Sequence, residues 1–600
     1  MAGLRLSDHK GRVSRDSRRD SFGARLRSST SSSSGAGKSR MPTPPSRHGD
    51  DYDDSEDASD ESSADGRGES ADEGEGESSS DEDFTLETHL GLLERRADQD
   101  ELNEIKTAPI FTDSVRKYAI SVTGKSPDQP FTQFGLIAGD VSHPAGAPPA
   151  DPRIFYNVSA PSSVFICGSQ GSGKSHSLSC LLENCLIPSK ANTLPRPLTG
   201  IVFHFDTFIS DNGGSPCEAA WLSSSRDVKV RVLCAPTNVR TIRQVYQRFP
   251  NVKVEELRLS QLDLNTKRML DLMAVTSGNM PLYLHVVNRI LRDLRITQQK
   301  SGKGFDYTTF KRMVQAEDLT KDQLAPLKQR LDTLESFMVE DQAKAYNMWA
   351  KERSGHSPKQ QRKHEAQGTD WTPEAGQLTI VDLSCPCVTS EMACSLFNIC
   401  LSLFLEQPSK VGRVIALDEA HKYMNDSPES QTLTESLLAT IRLQRHLGAR
   451  IIISTQEPTV SPKLLDLCSV TIVHRFTSPD WLAALKKHLA GVSTASQLLE
   501  QAAARHDGDA ANGDGHGHDD GVGAVALGRG NPSLGLFSQI VGLRVGEALV
   551  FAPSAIVGVR VVGAAAAAGG AAVRRLGNGV LKVRVRRRVT ADGGRSIMAL

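Results

Sequence analysis

The segment Gly168-Ser169-Gln170-Gly171-Ser172-Gly173-Lys174-Ser175 has the form G-x-x-x-x-G-K-[ST], and no other stretch constrains the fold so tightly. Glycines at these spacings let the backbone curl around an anion, with successive N–H groups aimed inward at the start of a helix. The context agrees. Val164-Phe165-Ile166-Cys167 reads as a short buried strand, and His176 to Leu186 reads as a helix with Leu178, Leu181, Leu182 and Leu186 at helical spacing. The pattern predicts a phosphate cradle over Gly168 to Ser175 with His176 at the helix start. Lys174 would reach the β- and γ-phosphates of ATP, and the Ser175 hydroxyl would bind Mg²⁺.

Far downstream, Val414-Ile415-Ala416-Leu417-Asp418-Glu419 is an apolar run ending in two carboxylates. Such a run suits a strand buried on both faces, whose C-terminal end delivers Asp418 to the Mg²⁺ shell. Glu419 is then placed to polarise an attacking water as general base. With Ala420 and His421 the pair also spells the box of DEAH-type RNA helicases. Those need a Ser-Ala-Thr element, where this chain has Ser454-Thr455-Gln456, and a late arginine-rich motif that is missing.

A length of 600 residues suggests two to four domains, and 70 Lys plus Arg against 71 Asp plus Glu leaves whole-chain charge silent about partners. Its distribution is more informative. Residues up to Thr30 are rich in Arg, Ser and Lys, and Asp50 to Asp83 is a dense Asp/Glu/Ser/Gly tract. So few apolar residues cannot offset ordering entropy, and 1–84 is expected to be disordered. A basic arm suits nucleic acid and an acidic serine tract suits basic protein partners that sequence does not identify; a solvated phosphorylatable tail fits equally well. Cys385-Pro386-Cys387 lacks zinc-ligand spacing, so the ten cysteines read as reduced thiols of a nuclear or cytoplasmic protein. Neither a signal core nor a spanning segment is visible, and Arg560 interrupts the apolar stretch Val557 to Val573; no membrane insertion is expected. His516 and His518 lie in glycine-rich sequence too costly to order around a metal.

Strands alternating with helices predict an α/β fold, a RecA-like P-loop core with a mainly parallel sheet. The expected order is a tail over 1–84, a linker with short elements including β-like Tyr118 to Val122 over 85–152, and the first part of the core over 153–259. A helical insertion on one sheet edge, with a mobile loop, follows over 260–369. The second part of the core spans 370–502, an Asp/Gly/His-rich loop 503–530, a last core segment 531–563, and an Ala/Gly-rich basic tail 564–600. Leu86 to Ile105 reads as an amphipathic helix anchored by Leu90, Leu93 and Leu102. The tail segments Arg574-Arg575 and Lys582 to Arg588 suit phosphate backbones, whereas alternating Val583 and Val585 suit a strand.

Taken in order, these features resemble the HerA/FtsK superfamily of P-loop ATPases, the HerA-like branch in particular. After the P-loop and helical insertion come Ile380-Val381-Asp382-Leu383-Ser384, Leu417-Asp418-Glu419-Ala420-His421, Ile451 to Gln456, Pro458 to Pro462, Val473-His474-Arg475-Phe476 and Gly546 to Val550. The resemblance covers Arg153 to Pro553. It implies a Mg²⁺-dependent ATP hydrolase working as a homo-oligomer, a hexameric ring that moves DNA. It also implies a γ-phosphate sensor or water-positioning role for Gln456, and roles at the nucleotide, within or across subunits, for Arg445 and Arg475. A nucleotide-gated scaffold that binds ATP with little turnover is the alternative. Family members carry a small β-barrel before the P-loop, and the interval from Phe111 to Arg153 is too short for a full one.

Overall fold

The computed structural model describes residues 79–93, 97–123, 130–141, 151–211, 213–273, 282–339, 368–489, 532–561 and 571–593. Of the expected tail over 1–84, residues 1–78 lie outside them, as do the mobile stretch before 368 and the segment 503–530, while 79–84 open the helix Ser79–Leu93. The chain divides into two units, Met1–His89 and Leu90–Leu600, and the account below concerns the second.

Among the described residues, three strands precede the P-loop strand: β1 (Ile110–Thr112), β2 (Phe134–Asp140) and β3 (Arg153–Asn157). Next come β4 (Ser163–Cys167), β5 (Asn192–Thr193), β6 (Thr199–His204), β7 (Lys229–Cys234) and β8 (Val252–Glu256). Beyond the helical block lie β9 (Gln377–Asp382), β10 (Arg413–Leu417), β11 (Ala449–Thr455) and β12 (Val470–Val473). The last four are β13 (Glu547–Phe551), β14 (Ile556–Val561), β15 (Ala571–Arg575) and β16 (Leu581–Val585).

The core sheet has the order β12-β4-β11-β10-β6-β9-β7-β8, with every neighbouring pair parallel. Burial on both faces explains the unbroken apolar runs. Phe165, Ile201, Phe203, Leu417 and Ile453 point to one side. Val164, Ile166, Val202, Ala416 and Ile452 point to the other. Helices Ser390–Glu406 and Pro428–Arg442 cover the first face; the helix Lys174–Leu186 and the helix Val239–Tyr246 cover the second. One strand, β11, separates the P-loop strand β4 from β10, which carries the carboxylate pair. This is the α/β RecA-like P-loop fold.

The helical block leaves the sheet from edge strand β8 and folds back onto the first face. Leu284, Val287, Phe310 and Leu331 join the core of Phe203 and Phe397, so the block caps that face and does not extend the edge. Its base is closed where Leu259 and Met338 bridge, with the Leu259 N–H donating to the Phe337 carbonyl at 2.8 Å.

Beyond β12 the sheet continues as β13-β16-β2-β3-β1-β14-β15, antiparallel except for the parallel pair β1 and β14. The strands before the P-loop are thus too few alone, as expected, and strands from the C-terminus complete their layer. Ile105, Phe111, Val115, Phe131, Phe155 and Ile556 form its core, with Phe111 stacked on Phe131 at 3.7 Å between centroids. Three expectations change here. Tyr118 to Val122 is not β-like: Asp113–Thr123 is a helix that buries Val115 and Ala119 one turn apart. Its first turn is held by buried Asp113, which pairs with Arg116 and Lys117 at 2.7 and 2.8 Å. Leu90 and Leu93 are exposed, and Ile105 in the next helix, Ala97–Thr107, is the buried anchor. The basic tail is two strands of the sheet, with Arg574, Arg575, Arg584 and Arg587 exposed, whereas Arg586 and Arg588 have side chains 7% and 2% exposed and turn inward. No described helix is long and apolar enough to cross a membrane.

Candidate nucleotide site

The P-loop emerges from β4 into the helix Lys174–Leu186 with Gly168, Gly171 and Gly173 at φ of 150°, 72° and 114°. These angles fall where side chains are disfavoured. Space demands glycine as well: a Cβ on Gly168 would lie 2.7 Å from His474 Cβ, and one on Gly173 would lie 3.2 Å from the Gly546 nitrogen. The loop is clasped from beneath. Arg475 offers its carbonyl to the Ser169 N–H and hydroxyl at 2.9 and 2.8 Å, and the Gly546 N–H donates to the Ser172 carbonyl at 3.2 Å. His474 bridges Ser177 Oγ at 2.9 Å and the Glu547 carbonyl at 3.0 Å, and burial pushes it down to about 4, so the imidazole under the cradle is neutral.

Lys174 is buried, its Nζ donating to the Ser169 carbonyl at 3.2 Å and standing 4.0 Å from Glu419 Oε1. Burial lowers its pKa, against the opposing pull of Glu419 and Asp418. Asp418 and Glu419 are adjacent yet diverge, because Glu419 takes φ 48° and ψ 49°. A left-handed non-glycine residue costs about 1–2 kcal/mol. Here it sends Asp418 into the protein and leaves Glu419 partly exposed beside Lys174. Gln456, just past β11, spans the gap. Its side-chain Nε2 donates to Glu419 Oε2 at 3.3 Å, and its backbone N–H donates to His421 Nδ1 at 3.3 Å. His421 Nδ1 also lies 3.3 Å from Glu419 Oε2. Burial lowers the His421 pKa, and a neutral ring accepting from Gln456 has no proton there for Glu419. The amide of Gln456 is therefore the partner that orients Glu419.

Asp418 ends β10 beside the C-terminal ends of β6 and β9. The His204 Nδ1–H donates to Asp418 Oδ2 at 3.2 Å, the Cys217 thiol donates to the same oxygen at 3.5 Å, and the His204 Nε2–H donates to the Ser215 carbonyl at 3.0 Å. Burial opposes charge on His204, but Asp382 and Asp418 outweigh it and raise its pKa well above the usual value. Burial likewise opposes the Asp418 charge, and the His204 bond reverses that, so its pKa is lowered. Asp418 Oδ1 is buried with no hydrogen-bond partner. An orphaned carboxylate oxygen at this position fits one ligand of a hard cation, as does the half-buried Ser175 at the helix start.

The chain thus brings together Gly168 to Ser175, Asp418, Glu419 and Gln456. His176 faces away from that group, its Nε2 2.7 Å from the Arg586 carbonyl. Arg475 contributes its backbone to the loop while its side chain is exposed. Arg445 is exposed in the short helix Gln444–Leu447 at the amino-terminal end of β11, the end opposite the P-loop. Sequence reasoning gave no role to His204, Cys217 or His421. The usable signal for His204 was its place at the end of the apolar run Ile201-Val202-Phe203, a strand pattern, where ligands of open α/β sheets collect.

No family model matches the chain, and no curated protein matches it. Among solved structures it is similar to VirB4 of Thermoanaerobacter pseudethanolicus, at 11% identity over 75% of this chain and 96% of that one, with a TM-score of 0.38. It is similar to the plasmid coupling protein TrwB in complex with GDPNP, at 12% identity over 79% and 98%, TM-score 0.34. It is also similar to the genome packaging NTPase B204 of Sulfolobus turreted icosahedral virus 2 with AMP, at 13% identity over 34% and 67%, TM-score 0.18.

Proposed function

We propose that this chain is a Mg²⁺-dependent ATP hydrolase of the HerA/FtsK type, acting inside the cell, in nucleus or cytoplasm, as a homo-oligomeric ring on DNA. The observation that carries the hydrolase reading is the divergence of Asp418 and Glu419 at one strand end, with Glu419 beside Lys174 and bonded to Gln456. In this reading Gly168 to Ser175 wrap the phosphates and Lys174 leaves the Ser169 carbonyl for the β- and γ-phosphates. Glu419, steered by Gln456, accepts the proton of the attacking water. Ser175 and Asp418 would hold Mg²⁺, which supplies charge neutralisation on the phosphates when bound. The ATPase unit comprises 153–259 and 370–502 with 531–563, and 260–369 is an insertion into it.

The alternative scaffold would bind ATP with little turnover, and the nature of the track decides between them. ATPase rate should rise with double-stranded DNA, single-stranded DNA or RNA, and that stimulation should fade as salt is raised, because backbone contacts release counterions. Tight ATP binding with turnover indifferent to all three polymers would favour the scaffold. Exposed Arg445 and Arg475 are the residues available to complete a neighbour's site, where a guanidinium would stabilise charge on the transferred phosphoryl. Light scattering with a non-hydrolysable ATP analogue should report a ring, a hexamer by resemblance. A monomer at micromolar concentration with and without the analogue would remove the ring.

A further inference from the structure

His204, Cys217 and Asp418 place three metal-ligating atoms within 4.8 Å of one another, all from buried residues. We propose that they form a binding site for a thiophilic divalent cation such as Zn²⁺, whose occupancy shuts off the nucleotide site by taking the carboxylate of Asp418. A tetrahedral ion with bonds of about 2.0–2.3 Å spaces its donors about 3.3–3.7 Å apart. His204 Nδ1 and Asp418 Oδ2 are 3.2 Å apart, and Cys217 Sγ and Asp418 Oδ2 are 3.5 Å apart. Two of the three spacings are thus near those of a tetrahedral site, and the third lies within 4.8 Å.

Two further observations point the same way. Metal-bound histidines almost always donate their other ring N–H to a carbonyl or carboxylate, which fixes the ring. His204 Nε2 does so to the Ser215 carbonyl at 3.0 Å. The Cys217 backbone is held too, its N–H donating to the Tyr246 hydroxyl at 2.9 Å while that hydroxyl donates to Asp382 Oδ2 at 2.7 Å. The second observation is Asp418 Oδ1, buried and unpartnered, on a side chain 3% exposed. Imidazole and thiolate select soft or borderline ions over Mg²⁺, so the ion that enters here is not the one that accompanies ATP. Binding releases two protons to solvent, one from the Cys217 thiol and one from His204 Nδ1, and no electron moves.

The inhibitory part of this inference rests on the hydrolase reading; the metal-binding part does not. The full chain should therefore be titrated with Co²⁺ in the absence of nucleotide. One ion per chain should bind with a thiolate-to-cobalt charge-transfer band, and X-ray absorption should find one sulfur ligand. C217S should abolish the band and weaken Zn²⁺ binding at least about tenfold. C387S, at the one exposed thiol of the ten, should keep both. Added Zn²⁺ should then slow ATP turnover in the unaltered chain at the concentration that fills the site. No sulfur ligand, two sulfurs (the mark of Cys385 and Cys387), or a band that survives C217S would overturn the site. Absent turnover without Zn²⁺ would instead overturn the hydrolase reading and leave the cobalt band standing.

Discussion

Replacing Glu419 with Gln is expected to lower ATP turnover by about 10²–10⁴-fold while ATP still binds. The amide keeps the size of the side chain and still meets the Gln456 amide, 3.3 Å away in the parent. What it loses is basicity. The backbone of the phosphate cradle is untouched, because Ser169 and Ser172 are held from below by Arg475 and Gly546, and Glu419 meets the loop only at the Lys174 side chain, 4.0 Å away. Binding of a fluorescent ATP analogue should accordingly persist. Lys174→Ala gives the contrasting outcome, removing the buried cation and weakening binding and turnover together. Equal turnover in the parent and both variants would sink the assignment of this site.

The second large effect is on stability. Glu183 lies on the P-loop helix with its side chain 1% exposed, and it collects the C-terminal segment onto that helix. Arg586 pairs with it at 2.7 Å, the Thr590 hydroxyl donates at 2.5 Å, and the backbone N–H groups of Val589 and Thr590 donate at 3.1 and 3.0 Å. Arg586 also donates to the carbonyls of Leu136 and Cys180. Glu183→Ala leaves Arg586 buried without its anion, a change that costs about 3–5 kcal/mol. The midpoint of thermal or urea unfolding should fall accordingly, and limited proteolysis should release the C-terminal segment first. A variant as stable and protease-resistant as the parent would show that the buried arginine finds other partners. The pH dependence follows with a definite sign. Burial raises the Glu183 pKa, but Thr590 and Arg586 outweigh it and the net shift is downward. A depressed carboxylate stabilises fully above its ordinary pKa of about 4.3, and that contribution is lost as pH falls through the lowered value. Acid should therefore loosen the C-terminal segment in the parent and have less left to remove in the variant.

Much of the nucleotide site was legible in the sequence because its parts are local. The P-loop is eight consecutive residues between a strand and a helix, and Asp418 and Glu419 are neighbours at the end of an unbroken apolar run. The parallel strands were legible for the same reason: residues buried on both faces write continuous hydrophobic stretches. Contacts made across long separations were not. Nothing near His204 announces Asp418, which lies 214 residues away. Tyr118 to Val122 has β-branched residues and still forms a helix, since Val115 and Ala119 find a tertiary core one turn apart. Lys582 to Arg588 carried two readings, charge and alternation, and only its neighbours β2 and β13 decide for alternation.

Strand β16 has a consequence for how the protein is made. It fills the gap between β2 and β13, and the arginine just beyond it donates to the Leu136 carbonyl across 450 residues of chain. Synthesis runs from the amino terminus at about 5–20 residues per second, so β2 leaves the ribosome long before its partner exists. Until then β2 is paired on that side only by β5 at Phe134 and Gly135, and Ala138 to Asp140 form an unpaired strand edge, a template for association with other chains. The sheet that carries the P-loop is therefore completed by a segment translated long after the P-loop itself. A message cut short after Pro553 would yield a chain with every residue of the candidate phosphate cradle and an open seam beside them.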